Sequence, residues 1–183
     1  DELDRLRGAF DEAFAGRGST VMIVGEPGIG KTRASQELAT YARMRGAHVL
    51  WGRTHESEGM PAYWPWKQIG DANAQHIPPA DLAGSLTAEQ ISELSRIFPV
   101  LRQAVNAEQP PEITDVESAQ FRLFDAYTTF IRAASEKTPL LIILDDLHWA
   151  DKPSLQLLQY FSRELSNMRV LVAGNYRDTE LSR

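Results

Sequence analysis

The stretch Gly25-Glu26-Pro27-Gly28-Ile29-Gly30-Lys31-Thr32 decides how this chain folds. It matches the phosphate-binding pattern G-x-x-x-x-G-K-[ST] at every fixed position. The apolar run before it, residues 20–24, predicts a buried strand, and residues 31–45, which contain neither Gly nor Pro, predict a helix. A strand, a Gly-rich loop and a helix in this order aim backbone N–H groups at an anion.

The residue types in this loop suit a polyphosphate ligand. Three glycines lack a Cβ, so the backbone can turn tightly and approach the phosphates. Lys31 supplies a positive charge for the β- and γ-phosphates, and the Thr32 hydroxyl is a ligand for Mg²⁺. The predicted nucleotide contacts are Gly25, Glu26, Pro27, Gly28, Ile29, Gly30, Lys31 and Thr32. The alternative is a turn that ends in Lys-Thr by chance.

Length and composition are those of one α/β domain. The chain has 183 residues, of which 43% are hydrophobic and 24% charged. Its net charge of −6 argues against a general nucleic-acid-binding surface, and the lack of cysteine excludes disulfides and Cys-ligated metals. No apolar run approaches the roughly 18 residues of a membrane span, and the N-terminus carries no signal-peptide core. A cytoplasmic location is therefore predicted.

Two carboxylates follow a second apolar run. Residues 140–144 are typical of a parallel strand buried on both faces, and Asp145 and Asp146 come next. The carboxyl ends of parallel strands lie at the ligand edge of a sheet. We predict that Asp145 holds Mg²⁺, directly or through water, and that Asp146 orients an attacking water or acts as base. A solvated strand end without function is the alternative.

Two further side chains are candidates for the same edge. Residues 169–176 predict the last strand, and Arg177 at its end could reach the γ-phosphate and distinguish ATP from ADP. A salt bridge to Asp178 or another neighbour is the alternative. His148 follows the acidic pair, and a structural role is favoured over a direct role in hydrolysis.

Periodicity and capping signals place the other elements. We predict a helix over residues 1–15, a strand over 48–53 and a loop over 54–65 that Pro65 closes. Capping boxes at Thr87 and Thr114 predict two further helices, the second reaching Lys137, and Asp151 is predicted to cap a helix to Leu165. The predicted buried side chains of the last two helices are Phe121, Phe124, Tyr127, Thr128 and Ile131, and Leu155, Leu158 and Phe161.

Residues 63–66, Tyr-Trp-Pro-Trp, form a dense aromatic cluster. We interpret it as packing that fastens an inserted helix to the body of the domain. A docking patch for another domain is the alternative.

Three segments, GEPGIGKT, LLIILDDLHWAD and VLVAGNYRDTE, together resemble the nucleotide-binding domain of the signal-transduction ATPases with numerous domains. These are a branch of the AAA+-like P-loop NTPases. The resemblance is strongest to the ATPase modules of LuxR/MalT-type bacterial transcription regulators and of related multidomain adenylate cyclases and protein kinases. It covers essentially the whole chain, and residues 86–112 match least distinctively.

The resemblance implies a three-layer P-loop NTPase core with a mainly parallel sheet in the order 5-1-4-3-2. Residues 1–183 are expected to form a single core domain with a helical insertion at about residues 60–113. Because the family's fifth strand and helical lid would follow Arg183, the chain is expected to be a fragment of a longer protein. The resemblance also places Arg177 at the sensor position after strand 4.

The function that these features predict is an ATP-binding, slowly hydrolysing switch in signal transduction, most frequently within a LuxR-type transcription regulator. Asp146 stands where fast ATPases commonly have Glu, and the shorter side chain reaches water less well. Expected partners are ATP or ADP with Mg²⁺, other domains of the same protein, and a second copy in a nucleotide-dependent way, but neither nucleic acid nor membrane. Only the resemblance favours adenine over guanine.

Other functions remain open at this stage. A binding-only nucleotide scaffold would keep the loop without turnover, and a cyclase or kinase could be the parent protein. A small-molecule kinase would need an Arg-rich cluster that the sequence lacks. Direct DNA binding is disfavoured by the acidic composition.

Overall fold

The computed structural model describes residues 2–26, 28–78, 81, 84–99, 101 and 105–177. Its helices include α1 (Glu2–Phe14), α2 (Lys31–Met44), α3 (Trp64–Ala74), α4 (Ala88–Leu94), α5 (Val116–Lys137) and α6 (Lys152–Glu164). Its strands include β1 (Ser19–Gly25), β2 (His48–Arg53), β3 (Leu140–Asp145) and β4 (Val170–Arg177). Short 3₁₀ helices span Leu147–Trp149 and Leu165–Asn167.

The four strands form one parallel sheet in the order β1-β4-β3-β2. This is the 1-4-3-2 part of the order that the resemblance implied, and the α/β fold with a parallel sheet is confirmed. β4 lies between β1 and β3. The Gly-rich loop after β1 and the acidic pair at the end of β3 therefore lie at the same edge of the sheet, on either side of the end of β4. Among the described residues, β1 pairs with β4 alone.

Helices cover both faces of the sheet, which gives the predicted three layers. Side chains alternate along β3: Leu141 and Ile143 join the cluster under α1 and α2, whereas Leu140 and Ile142 join the larger cluster under α3 to α6. All five apolar residues of β3 are buried, as expected of a strand covered on both sides. No helix in the described part of the chain is long and apolar enough to cross a bilayer.

Helix starts agree with the predictions in two cases and differ in two. The capping box at Thr87 is confirmed: its hydroxyl accepts from the Gln90 N–H, and the Gln90 side chain accepts from the Thr87 N–H. Asp151 caps α6 as predicted. The box at Thr114 is wrong, because α5 starts one residue later and the Asp115 carboxylate accepts from the Glu117 N–H at 3.2 Å.

Pro65 does not close a loop. It lies in the first turn of α3, where its missing N–H would have had no helical partner. The predicted loop therefore ends at Tyr63, which takes a left-handed conformation (φ 62°) as the N-cap of this helix.

The predicted buried side chains of α5 and α6 are confirmed at five positions, Leu158 is half-buried, and the prediction is wrong at two positions, Phe121 and Leu155. Phe121 is 60% exposed and stacks edge-on against Tyr160 at the surface, whereas Leu123 is buried. Leu155 is likewise 40% exposed and Leu157 is the buried residue. Helical spacing alone admits Phe121 and Leu155 to the buried stripe, and only the packing of each helix against the rest of the domain decides whether they are covered.

Gly18 lies at a point where the chain has no room for a side chain. A Cβ there would stand 2.7 Å from the carbonyl oxygens of Met168 and Val170, and closer still to that of Leu165. We expect Gly18→Ala to lower the free energy of unfolding by about 1–3 kcal/mol, because backbone atoms cannot move aside as a side chain can. Gly8→Ala, in open space on α1, should raise it by about 0.5–1 kcal/mol. Equal effects in urea denaturation would contradict this account.

Candidate functional site

The Gly-rich loop connects the end of β1 to the start of α2. Gly28 and Gly30 have φ values of 84° and 101°, which residues with a side chain adopt at a cost. A Cβ on either would meet open space, so the backbone is accessible to a ligand. Gly30 is the N-cap of α2 and offers no side-chain cap, so the first N–H groups of this helix are available to an anion.

Lys31 folds back over the loop. Its Nζ donates to the carbonyl oxygens of Gly25 at 2.6 Å and of Glu26 at 2.8 Å. The ammonium group therefore lies inside the loop, where a phosphate oxygen can replace either carbonyl. Thr32, the next residue, is exposed, as is Ile29. Pro27, another predicted contact, lies outside the described residues.

A cavity of about 360 Å³ opens beside the loop. It lies between the start of α1, the end of β1 and the first turns of α2, and its lining includes Leu3, Ile23 and Ala34. The lining also includes the charged residues Arg33 and Glu37, so this is a recess of mixed polarity next to the phosphate-binding loop, a position suited to the base or sugar of a nucleotide.

The acidic pair lies at the end of β3 and is held by the backbone. Asp145 ends the strand, and Asp146 takes a left-handed conformation with φ 56°. Thr54, which follows β2 and is buried, holds both residues: its N–H donates to the Asp145 carbonyl at 3.2 Å and its hydroxyl to the Asp146 carbonyl at 2.6 Å. Both carboxylates remain partly exposed. Nothing in the sequence singled out Thr54.

Two buried residues that the sequence did not single out join the loop helix to the acidic pair. Asn175 donates from Nδ2 to Asp145 Oδ1 at 2.7 Å, and the Ser35 hydroxyl of α2 donates to Asn175 Oδ1 at 3.0 Å. A signal was present at Asn175, because it is a polar residue directly after the apolar run at 170–174.

Arg177 and His148 both face Asp146. Arg177 Nη2 lies 3.7 Å from Asp146 Oδ1, so Arg177 forms an ion pair with a neighbouring carboxylate, which was the alternative considered from the sequence. Asp178, the other candidate partner, lies outside the described residues. The His148 side chain is only 1% exposed, with Nδ1 4.0 Å from Asp146 Oδ1. Its ring also packs 6.2 Å from that of Tyr176, so it helps to shape this end of the sheet.

The donors that the fold brings together suit a nucleoside triphosphate with Mg²⁺. Free helical N–H groups and Lys31 suit phosphate oxygens, and the Thr32 hydroxyl and Asp145 carboxylate are the hard oxygen ligands that Mg²⁺ prefers. The described ranges hold no group of three or more His, Cys, Asp or Glu that could hold a metal ion. Mg²⁺ in nucleotide sites takes one or two protein carboxylates and completes its shell with phosphate and water.

Comparison with known proteins gives two findings. A model of the AAA ATPase domain family matches residues 1–173. An uncharacterized protein of Rhizobium meliloti (strain 1021) is 22% identical over 189 residues, in an alignment that covers 100% of this chain and 18% of that protein. The chain therefore spans less than a fifth of the length of this curated relative.

Proposed function

The chain belongs to the AAA ATPase domain family and is a nucleotide-binding ATPase module, and from this premise we propose that it acts as an ATP-dependent switch in signal transduction. AAA ATPase domains typically bind ATP or ADP with Mg²⁺. The observation that carries the proposal is the meeting of the Gly-rich loop and the Asp145–Asp146 pair at one edge of a parallel sheet, joined through Asn175.

In this proposal the loop binds the triphosphate and the acidic pair serves the metal and the water. Lys31 would leave the two carbonyls and bind the β- and γ-phosphates, and the backbone of residues 25–30 would wrap them. Thr32 and Asp145 would hold the Mg²⁺ ion. When bound, Mg²⁺ offsets phosphate charge and polarises the γ-phosphoryl group.

The ion pair between Arg177 and Asp146 supports slow, nucleotide-dependent hydrolysis. While the pair persists, the Asp146 carboxylate is turned towards a cation and is poorly placed to orient a water molecule. A γ-phosphate would compete for Arg177, and Asp146 would then be released. Arg177 and Asp146 would thus change their contacts when a triphosphate is bound but not when a diphosphate is bound. A switch requires such a difference between the two nucleotide states.

We also propose that the domain forms part of a longer bacterial regulator, with a LuxR-type transcription regulator as first choice and a multidomain adenylate cyclase or protein kinase as alternatives. The length of the Rhizobium relative supports a multidomain parent. Residues 1–183 would form a single core in which α3 and α4 belong to a helical insertion at about 60–113. Nucleotide exchange would alter contacts with other domains or with a second copy.

A binding-only scaffold is the second candidate. The observation that favours it is again the Asp146–Arg177 ion pair, because a permanently engaged carboxylate would leave the site without a general base. The two functions differ in turnover, not in nucleotide binding.

Single-turnover hydrolysis distinguishes them. We expect the wild-type protein to release phosphate slowly from bound ATP. Asp146→Asn should slow this release by about tenfold. The effect is smaller than the usual contribution of a general base, because the Asp146 side chain is short and forms an ion pair. Asp71→Asn, at an ion pair with Lys67 on α3, is the matched control and should hydrolyse ATP at the wild-type rate. Tight ATP binding without phosphate release by the wild-type protein would favour the scaffold.

A further inference from the structure

Asn175 is a buried polar residue at the end of an apolar strand. Residues 170–174 of β4 are all buried, and Asn175 continues the strand with 1% exposure. A buried amide is costly unless it forms hydrogen bonds. Its two partners, Ser35 and Asp145, both belong to elements of the candidate site.

The hydrogen-bonding chemistry of Asp145 and Ser35 determines which way the side-chain amide of Asn175 is oriented. A carboxylate only accepts hydrogen bonds, so the NH₂ group of Asn175 must face Asp145, and the Ser35 hydroxyl must donate to the remaining amide oxygen. The bond to Asp145 is 2.7 Å long and uses one carboxylate oxygen, Oδ1. The carboxylate is thereby held in one rotamer while its other oxygen remains available to a cation.

The same chain of hydrogen bonds ends on α2, the helix that carries Thr32, the other metal ligand that we proposed. Ser35 lies on α2 three residues after Thr32, so the two hydroxyls lie on one face of the helix, one turn apart. Asn175 therefore connects the helix that carries Thr32 to the strand that carries Asp145. The register places Ile23 of β1 beside Asn175 and Gly174 beside Leu144, so this link joins the two central strands at the carboxyl edge of the sheet.

We propose that Asn175 is a positioning residue that sets the Mg²⁺ affinity of the nucleotide site by fixing the Asp145 carboxylate relative to Thr32, with Ser35 orienting the amide. This inference rests on the proposed function. Without the amide, Asp145 could rotate away from the metal position, and ligands that are not held in place by outer hydrogen bonds bind metal less tightly.

The test is a Mg²⁺ titration of ATP binding. We expect Asn175→Ala to raise the Mg²⁺ concentration for half-maximal ATP binding by about tenfold or more, the usual effect of losing such a partner, with metal-free ATP binding in EDTA unchanged. Ser35→Ala should shift it in the same direction by a smaller factor. The matched control is Asn73→Ala on α3, since Asn73 is equally buried but forms no side-chain hydrogen bond with any described residue.

The outcomes separate the two proposals. A half-maximal Mg²⁺ concentration within about twofold of wild type in Asn175→Ala would overturn the positioning role, as would an equal shift in Asn73→Ala. If thermal melting shows that Asn175→Ala does not fold, Ser35→Ala decides by the same criterion. A wild-type protein that binds no ATP overturns the proposed function and the metal role together. Wild-type binding that depends on Mg²⁺, with an unshifted half-maximal Mg²⁺ concentration in Asn175→Ala, overturns the positioning role alone.

Discussion

Lys31→Ala is expected to weaken Mg²⁺-dependent ATP binding by about 100-fold, because the lysine places a positive charge among the phosphates. Hydrogen bonds to charged groups contribute about 1.5–3 kcal/mol each, and the ammonium group is placed to form more than one. The Lys31 ammonium group donates hydrogen bonds to the carbonyls of Gly25 and Glu26, and phosphate oxygens would replace these acceptors. Calorimetric titration with ATP and with ADP measures the loss.

The matched control is Arg43→Ala. Arg43 is an exposed cation in the last turn of the same helix, 12 residues and roughly 18 Å along the axis from Lys31. Its removal changes the net charge equally, so ATP affinity should stay within about twofold of wild type. Equal losses in the two variants would mean that the general charge of α2 attracts the nucleotide, and the loop would lose its proposed role.

Trp66→Ala is expected to lower the free energy of unfolding by about 3–5 kcal/mol, the largest effect on stability that we expect from a single side chain here. Trp66 is 1% exposed and packs edge-on against Tyr127 at 5.4 Å and Phe161 at 5.8 Å. Its Nε1 donates to the Ser154 carbonyl at 2.9 Å, and its own carbonyl accepts from the Tyr127 hydroxyl. Burial raises the pKa of that hydroxyl, so it stays protonated and able to donate.

Urea denaturation of Trp66→Ala and Trp64→Ala tests this and decides the role of the aromatic cluster. Trp64 is only partly buried and lines an apolar cavity of about 520 Å³, so its loss should cost about 1 kcal/mol. Trp66→Phe should fall between the two, since it keeps an aromatic ring and loses the hydrogen bond to Ser154. A Trp66→Ala protein as stable as wild type would refute the view that this residue fastens α3 to the body of the domain.

Features that depend on neighbouring residues could be predicted from the sequence. The loop between β1 and α2 follows from glycines, a lysine and a threonine at set spacings, and the start of α4 follows from Thr87 and Gln90, three residues apart. The continuous apolar run of β3 indicated a strand buried on both faces. The prediction that Thr114 caps α5 was wrong by one residue, because Thr and Asp are adjacent and both can cap.

The tertiary structure alone decided which distant residues meet. Asn175 reaches Asp145 because β3 and β4 are neighbours, and it reaches Ser35, 140 positions away, because α2 packs over both strands. The pairing of Arg177 with Asp146 depends on the same neighbouring strands, whereas the anchoring of the acidic pair by Thr54 depends on the register between β2 and β3. Local patterns reflect steric and hydrogen-bonding preferences within a few residues, so the sequence by itself determined the phosphate loop and the class of fold. The contacts that orient the acidic pair arise only when the sheet is assembled, since nothing in the separate segments sets their distance.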